Sequence, residues 1–336
     1  MNISNTSDYP SVTVVMISLN DEKIIDACLS SIRRQDYPQD KIAILMVDGG
    51  STDKTLSIAS KYSVDVLSRP DLRESPDIRG GIALTSSRSD LTLFFSADNR
   101  FKENNVLSLL VAASIDPEVV ACETLRYGYR STDPVLSRYF ALIGGGDPIA
   151  VGLGKADRVP HDCPGWCGFG DSEDKGFYYK VSFPADNSKI PTIGANGFLI
   201  KNKYIKMTDL AGKALHIDMC VDLILKGHNK FAFIKGGHVI HYLDLKLANF
   251  LRRRILYAKM YENSKTPRIY SVFHRSQWLR LMCLVLANLT CIWPLIRALK
   301  GFFIKPDIAW FLNPLVSFAF TVGYGVYFLK SKFFKW

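Results

Sequence analysis

The chain has 336 residues, a length that allows one large domain or two modest ones. Apolar residues make up 48% of it and charged residues 22%, which excludes a disordered or collagen-like chain. The net charge is +10, and such an excess of cations indicates partners that carry phosphate, such as nucleotides, lipid headgroups or nucleic acid. We expect no nucleic-acid partner, because no motif for one is present and most of the charge lies beside apolar segments.

Strand and helix patterns alternate through the first 115 residues. The apolar run 12–18 predicts a first strand, and Asn20 and Asp21 after it are candidate caps for a helix over 22–34. Further strands are expected at 42–47, 64–67 and 91–95, with helices at 53–62, 77–87 and 107–113 between and after them. Nearly continuous apolar strands separated by helices predict an α/β fold with a mostly parallel sheet flanked by helices.

Polar residues follow three of these strands, in the clusters Ser18-Leu19-Asn20, Asp48-Gly49-Gly50 and Ser96-Ala97-Asp98. Because ligands bind at the carboxyl ends of parallel strands, the three clusters predict one binding site. The glycine fingerprint of dinucleotide-binding enzymes and the phosphate-binding loop of P-loop enzymes are both missing, which disfavours those two classes.

The middle of the chain is less regular. Residues 152–186 read as loops that cover a substrate or lie on the surface. A helix is expected at 215–226, with Asp218 near its start, and closing strands at 231–234 and 238–241.

The C-terminal part combines cations with apolar segments. Residues 246–280 hold nine Lys or Arg and one acid, and the apolar segments 281–296 and 308–329 follow. As helices, these would measure about 24 Å and about 33 Å, against about 30 Å for the core of a bilayer. We expect a basic juxtamembrane segment, two membrane segments within 281–329 and a basic tail at 330–336. A re-entrant or interfacial first segment is the alternative.

The three polar clusters also carry a family resemblance. Residues 11–22, the block Val47-Asp48-Gly49-Gly50-Ser51-Thr52-Asp53-Lys54-Thr55 and the block 94–99 resemble, in order and spacing, family 2 glycosyltransferases of the GT-A fold. The block at 47–55 is the most specific, and weaker matches reach to about residue 255. The resemblance implies a glycosyltransferase domain over 1–245, with a nucleotide-binding half at about 10–115 and an acceptor half at about 116–245.

The resemblance also assigns roles to residues. It implies that Asp48 contacts the base or ribose of a nucleotide-sugar donor, and that Asp53 supports the same loop. It further implies that Arg79 lies near the diphosphate, that Asp98 binds Mg²⁺ or Mn²⁺, and that Asp218 is the catalytic base. The remaining nucleotide-binding positions that it implies are Ser18, Leu19, Asn20 and Ala97.

Two positions depart from the family pattern. Ser96 stands where the metal motif has its first aspartate, and Ile217 stands beside Asp218 in place of an acidic pair. Since Mg²⁺ needs only one or two protein carboxylates beside substrate phosphates, Asp98 can suffice. Asp222, one helical turn after Asp218, is the internal alternative for the base.

The expected function is transfer of a sugar, with inversion, to a membrane-associated acceptor such as a lipid-linked saccharide. The alternatives are a polyprenyl-phosphate monoglycosyltransferase and, because of Ser96, a membrane-anchored pseudoenzyme that binds sugar nucleotides. The polar residues 1–10 contain no apolar signal-peptide core. We therefore expect the protein at a bacterial or archaeal plasma membrane, with its catalytic domain in the cytoplasm.

Overall fold

The computed structural model describes residues 9–208, 216–262 and 268–333, with side chains described outside 257–262 and 330–333. The chain divides into two compact units, each built from separate stretches. Unit 1 comprises Met1–Gly128, Gly170–Asn187 and Ile193–His241, and unit 2 comprises Tyr129–Phe169, Ser188–Thr192 and Tyr242–Trp336. The domain limits expected at residues 115 and 245 stay predictions.

Unit 1 contains a nine-stranded sheet and a two-stranded one. In chain order the described strands are β1 (Val12–Ser18), β2 (Ile42–Asp48), β3 (Asp65–Ser68), β4 (Leu91–Phe94), β5 (Asn99–Phe101), β6 (Ala121–Thr124), β7 (Asp171–Asp174), β8 (Tyr178–Ser182), β9 (Phe198–Lys201), β10 (Lys230–Ile234) and β11 (Val239–His241). The large sheet has the order β3-β2-β1-β4-β9-β6-β10-β8-β7, and β5 pairs with β11.

The large sheet has one parallel part and one part in which strand directions are mixed. Strands β3, β2, β1 and β4 are parallel, with Ser18 level with Asp48. Strand β9 runs antiparallel to both β4 and β6, and β8 and β7 form an antiparallel hairpin beside β10. The predicted α/β fold with a large central sheet is confirmed, and its first four strands are the parallel ones that the apolar runs predicted.

The described α-helices are also given in chain order. They are α1 (Ile25–Arg33), α2 (Thr55–Ala59), α3 (Pro76–Thr85), α4 (Val106–Ser114), α5 (Val135–Ile143), α6 (Pro148–Gly152), α7 (Asn202–Ile205), α8 (His216–Leu225), α9 (Leu247–Glu262), α10 (Trp278–Thr290), α11 (Ile292–Ile304) and α12 (Leu312–Phe333). Helices α5, α6 and α9–α12 belong to unit 2, and the others to unit 1.

The core of unit 1 explains why the first helix forms where it does. Cys28, Leu29 and Ile32 of α1 are fully buried in one cluster with Val14 and Met16 of β1. Each such apolar side chain contributes about 1.5–3 kcal/mol on burial. The apolar side chains of α1, spaced three to four residues apart, therefore pack on the apolar side chains of β1. This packing fixes the position of α1 on the sheet.

The structure corrects the expected capping of α1. Its N-cap is Ile24, which makes no side-chain capping bond. The carboxylate of Asp21 accepts instead from the Ser18 hydroxyl and from the Leu19 N–H, so it closes the turn after β1. The amide oxygen of Asn20 accepts from Thr52 N–H, in the neighbouring loop. Both polar side chains therefore order the binding edge of the sheet.

The stretch expected to be loops, 152–186, contains the hairpin of β7 and β8. Strand β7 has the sequence Asp-Ser-Glu-Asp and is exposed throughout, so it shows none of the apolar alternation that marks a strand. The helix expected from residue 215 begins at His216, and Leu215 itself lies outside the described residues.

In unit 2, the expected apolar segment 281–296 is divided between α10 and α11, which are bent by 80°. Cys291 at the break has a left-handed backbone, with φ of 58°. The segment Ile308–Leu329 is 22 residues long with a mean hydropathy of 1.3, so it has the length and composition of a membrane span. Residues 334–336 of the expected basic tail lie outside the described residues.

Candidate functional site

The loop after β2 is ordered by Asp48, whose side chain is fully buried. Its Oδ2 accepts from the backbone N–H groups of Gly50 (2.8 Å) and Ser51 (2.9 Å), and its Oδ1 accepts from the Ser51 hydroxyl. These three bonds hold the Asp-Gly-Gly-Ser turn, in which Gly50 has a φ of +85° that suits glycine. The residue expected to contact the nucleotide therefore also shapes the loop.

Asp53 joins the loops after β1 and β2. Its Oδ2 accepts from Glu22 N–H (3.1 Å) and its Oδ1 from Thr55 N–H (2.9 Å). Burial alone would raise the pKa of Asp53, but hydrogen bonds from Thr55 and from the Glu22 backbone hold it below its ordinary value. An ionised carboxylate thus braces the loop, in the supporting position that the resemblance implies.

Arg79 of α3 lies beneath this edge. Its side chain is buried, Nη1 donates to the Ser18 carbonyl, and Nη1 lies 2.7 Å from the place where a Cβ on Gly49 would be. Burial lowers the pKa of Arg79, while Asp48 and Asp21 act in the opposite direction. Arg79 thus places one cation against the ends of β1 and β2, beside the carboxylates of Asp48 and Asp21.

Arg73, which no motif in the sequence indicates, reaches the same edge. Its Nη1 donates to the Gly50 carbonyl at 2.7 Å. The only sequence signal for it is a basic residue in the charged, proline-containing stretch before α3.

Asp98 lies in the turn between β4 and β5. Its Oδ1 is buried and forms no hydrogen bond, and it lies 3.6 Å from Nδ1 of His241. Among the described residues, no group of three or more His, Cys, Asp or Glu side chains is placed to bind a metal ion. Asp98 and His241 therefore fit a cation that takes its other ligands from a substrate.

A chain of hydrogen bonds extends from His241 within unit 1. Nδ1 of His241 lies 3.0 Å from Oδ1 of Asn99, whose amide donates to Oδ1 of Asn196 (3.2 Å). The Asn196 amide donates in turn to the hydroxyl of buried Tyr127 (2.9 Å). Since an amide oxygen can only accept, this contact requires a proton on Nδ1 of His241. Nδ1 is then a donor, so a cation at His241 would have to bind Nε2.

Asp218 is the third residue of α8, and its side chain is buried. The start of this helix is held near the end of β4, because the His216 ring stacks on Phe94 with centroids 5.3 Å apart. Asp222 forms an ion pair with Lys226 at 2.9 Å, one turn further along the helix. The two candidate bases therefore have different surroundings: Asp218 is buried, and Asp222 is half-buried beside Lys226.

Asp21, which the sequence pattern predicted as a helix cap, is a further carboxylate of this edge. Burial raises its pKa, and repulsion from Asp98 and Asp53 acts in the same direction. A cation near Asp98 would relieve this repulsion.

Known proteins match the part of the chain that contains most of the candidate site residues. Residues 13–168 match the family model described as Glycosyl transferase family 2. The chain is 29% identical over 108 residues to the poly(ribitol-phosphate) β-N-acetylglucosaminyltransferase TarS of Staphylococcus aureus, a match that covers 31% of this chain and 18% of TarS.

Over 47 residues the chain is 43% identical to a dolichyl N-acetyl-α-D-glucosaminyl phosphate 3-β-D-2,3-diacetamido-2,3-dideoxy-β-D-glucuronosyltransferase of Methanococcus voltae, covering 14% of this chain and 15% of that protein. The chain spans less than half the length of the curated relatives that it matches.

The fold is similar to that of the mannosyltransferase PcManGT of Pyrobaculum calidifontis, solved in complex with GDP-Man and Mn²⁺. The TM-score is 0.53 at 15% sequence identity, and the alignment covers 99% of this chain and 90% of the other.

Proposed function

We propose that the chain is an inverting glycosyltransferase, since residues 13–168 match the model of glycosyl transferase family 2. It moves a sugar from a nucleoside-diphosphate sugar to a membrane-associated acceptor in the assembly of an envelope polysaccharide or glycan. The main support for this proposal is the edge formed by the ends of the parallel strands in unit 1. Asp48, Asp98 and the start of α8 lie at this edge, and hydrogen bonds already order the loop after β2.

The donor binds, in this proposal, across the loops after β1 and β2. The backbone of Ser18, Leu19 and Asn20 and the carboxylate of Asp48 take the nucleoside, and Asp53 keeps the loop in place. Arg79 holds the Ser18 carbonyl and adds positive charge beneath the diphosphate. An ordered loop lowers the entropy lost when the nucleotide binds.

Asp98 and His241 would hold a divalent cation together with the diphosphate of the donor. The unbonded Oδ1 of Asp98 and the neighbouring imidazole supply hard and borderline ligands of the kind that Mg²⁺ or Mn²⁺ accepts. When bound, such an ion neutralises the charge that develops on the leaving diphosphate. Ser96, adjacent to Ala97, contributes at most a neutral oxygen.

Asp218 is the proposed base. It takes the proton of the acceptor hydroxyl while that oxygen attacks the anomeric carbon on the side opposite the diphosphate, which inverts the configuration. Its burial separates the base from bulk water.

A phosphate acceptor is the second candidate, favoured by the nine cations in residues 246–280. A polyprenyl phosphate is already anionic, so its transfer would depend less on Asp218. The relative from Methanococcus voltae is named for a sugar already linked to dolichyl phosphate, so it supports the lipid-linked saccharide of the first candidate rather than a bare phosphate.

A donor screen tests the proposal. The purified full chain is incubated with UDP-, GDP- and dTDP-sugars and Mn²⁺, and release of the nucleoside diphosphate is measured with Asp98→Asn as the matched control. We expect turnover of one nucleotide class and loss of it in the variant. Nucleotide binding without turnover of any donor would instead favour the membrane-anchored pseudoenzyme.

A further inference from the structure

Helices α10, α11 and α12 of unit 2 present large apolar side chains to solvent. Exposed examples are Leu279, Leu286, Trp293, Phe303, Leu315 and Phe328. An apolar surface of this extent marks a partner or a membrane. The charged residues near this apolar surface indicate which of the two it is. Exposed cations lie on the same unit, at Arg252 and Arg253 of α9 and at Lys300 of α11. Apolar side chains bordered by cations match the acyl chains and anionic headgroups of a bilayer.

The contacts of α12 argue against an upright crossing. Asp307, just before the helix, is buried and accepts from Arg138 at 2.8 Å. Further along, Asn313 accepts from the Tyr139 hydroxyl at 3.0 Å. Near the other end, the Tyr324 hydroxyl donates to Asp147 at 2.8 Å. From residue 307 to residue 324 the chain rises about 25 Å as a helix, so most of its length is tied to residues 138–147.

A crossing by α12 would therefore take residues 138–147 to the same depth. That stretch carries Arg138 and Asp147, whose partners Asp307 and Tyr324 are only about 25 Å apart. Since the hydrocarbon core is about 30 Å thick, at least one of the two charges would lie inside it, which is costly. Asp147 also caps α6 through the N–H groups of Ile149 and Ala150, so it cannot turn away without leaving α6 uncapped.

Contacts with residues 129–162 of unit 2 also hold the bent pair α10 and α11. Arg297 of α11 forms an ion pair with Asp162 at 3.2 Å, and Lys305 lies 4.1 Å from the ring centroid of Tyr129. In a crossing of the pair, the cations of α11 would have to reach the opposite face of the membrane. The 80° bend at Cys291 instead lets both helices turn an apolar side to one leaflet.

We propose that α10, α11 and α12 hold the protein in one leaflet of a bilayer with anionic headgroups, without crossing it. This proposal rests on the membrane association in the proposed function. It replaces the two membrane segments expected from the sequence with one monotopic attachment.

Topology in sealed vesicles tests it with the unaltered full chain. A membrane-impermeant amine reagent is applied, and mass spectrometry reads Lys246, an exposed reference, and Lys300. A second sample carries an epitope tag after Trp336, read by antibody. We expect both lysines and the tag to react in the same vesicles before permeabilisation.

Three results would overturn the proposal. Lys300 reacting only after permeabilisation, while Lys246 reacts before, would show that the bent pair crosses. A tag accessible only after permeabilisation, with both lysines already labelled, would show that α12 crosses. Lys300 unreactive in both conditions would place it in hydrocarbon.

Flotation with vesicles separates this proposal from its premise. We expect the chain to float with vesicles that contain phosphatidylglycerol, and Arg252→Gln to weaken binding roughly fivefold. A chain that does not float with any vesicle contradicts membrane association itself. Donor turnover, measured in detergent, remains an independent test of the glycosyltransferase activity.

Discussion

The carboxylate of Asp98 faces the imidazole of His241, with Oδ1 3.6 Å from Nδ1. The two residues reach each other because β5, which follows Asp98 directly, pairs with β11, where His241 lies opposite Asn99. A strand pairing that joins residues far apart in the chain thus assembles the candidate cation site.

This pair predicts how a metal ion binds. Two protein ligands hold Mn²⁺ weakly, and the diphosphate completes the coordination, so affinity for Mn²⁺ should rise at least tenfold when UDP or GDP is present. Asp98→Asn should remove most of that gain, as measured by calorimetry. Ser96→Asp, which restores a carboxylate, should tighten Mn²⁺ without being needed for turnover. Full activity of the unaltered chain in excess chelator would contradict metal dependence.

Asp48→Ala should weaken nucleotide binding roughly tenfold or more, because one charge-assisted hydrogen bond is worth about 1.5–3 kcal/mol. The internal bonds of Asp48 mean that the same change also loosens the loop. Ser51→Ala is the matched control, since it removes a bond within the loop and leaves the carboxylate. Equal losses of affinity in the two variants, by calorimetry, would assign Asp48 a purely structural role.

Asp218→Asn should lower turnover roughly 10²-fold or more while preserving donor binding, as expected for a general base. Asp222→Asn should stay within a few-fold of the unaltered chain, because Asp222 is already paired with Lys226. Turnover with a defined acceptor is the measurement. Near-normal rates in both variants would remove both residues from the base role and favour a phosphate acceptor.

Gly197→Ala should destabilise the protein more than Gly176→Ala. Both glycines have left-handed backbones, with φ of +92° and +82°, which costs an alanine roughly 1–2 kcal/mol. At Gly197 the new Cβ would also lie 2.7 Å from Cγ2 of Val239, whereas nothing lies within 4 Å at Gly176. The overpacking adds roughly 1–3 kcal/mol, so thermal unfolding should occur at a clearly lower temperature. Equal shifts would show that the turn adapts.

Cys163 should react as a thiolate near neutral pH. A hydrogen bond from Cys167 lowers the pKa of Cys163 to about 7, and Arg297 and Lys300 act in the same direction. Since the thiolate is the nucleophile, alkylation by iodoacetamide should rise as the pH increases through about 7. Cys167→Ala removes the donor and should move this rise to higher pH. An unchanged profile, read by mass spectrometry, would exclude the hydrogen bond as the cause.

Local sequence signals accounted for the parallel half of the fold. The apolar runs at 12–18 and 42–47 and the turn residues after them predicted β1 and β2 to within one residue. They also predicted the polar edge that holds Asp48 and Asp98. These features depend on neighbours along the chain, so a pattern in the sequence was enough.

Contacts between distant residues could not be predicted in this way. Asn99 and Asn196 are 97 residues apart, and a hydrogen bond between their amides leaves no trace in either local pattern. The division into two units is hidden for the same reason, since Tyr129–Phe169 belongs with the C-terminal helices. Helix α5 did carry local signals, with Pro134 before it and Gly144 at φ +79° after it, which the irregular surroundings obscured.

Strand β7 is the last strand at one side of the large sheet, so among the described strands none pairs with its outer side. Such an edge can recruit a strand from a second molecule. Charged side chains oppose this, because Asp171, Glu173, Asp174 and the lysines paired with the last two would lose water against a second copy of the strand. Replacing these acids by neutral residues would therefore expose the protein to aggregation through its sheet edge, above all at high concentration during expression.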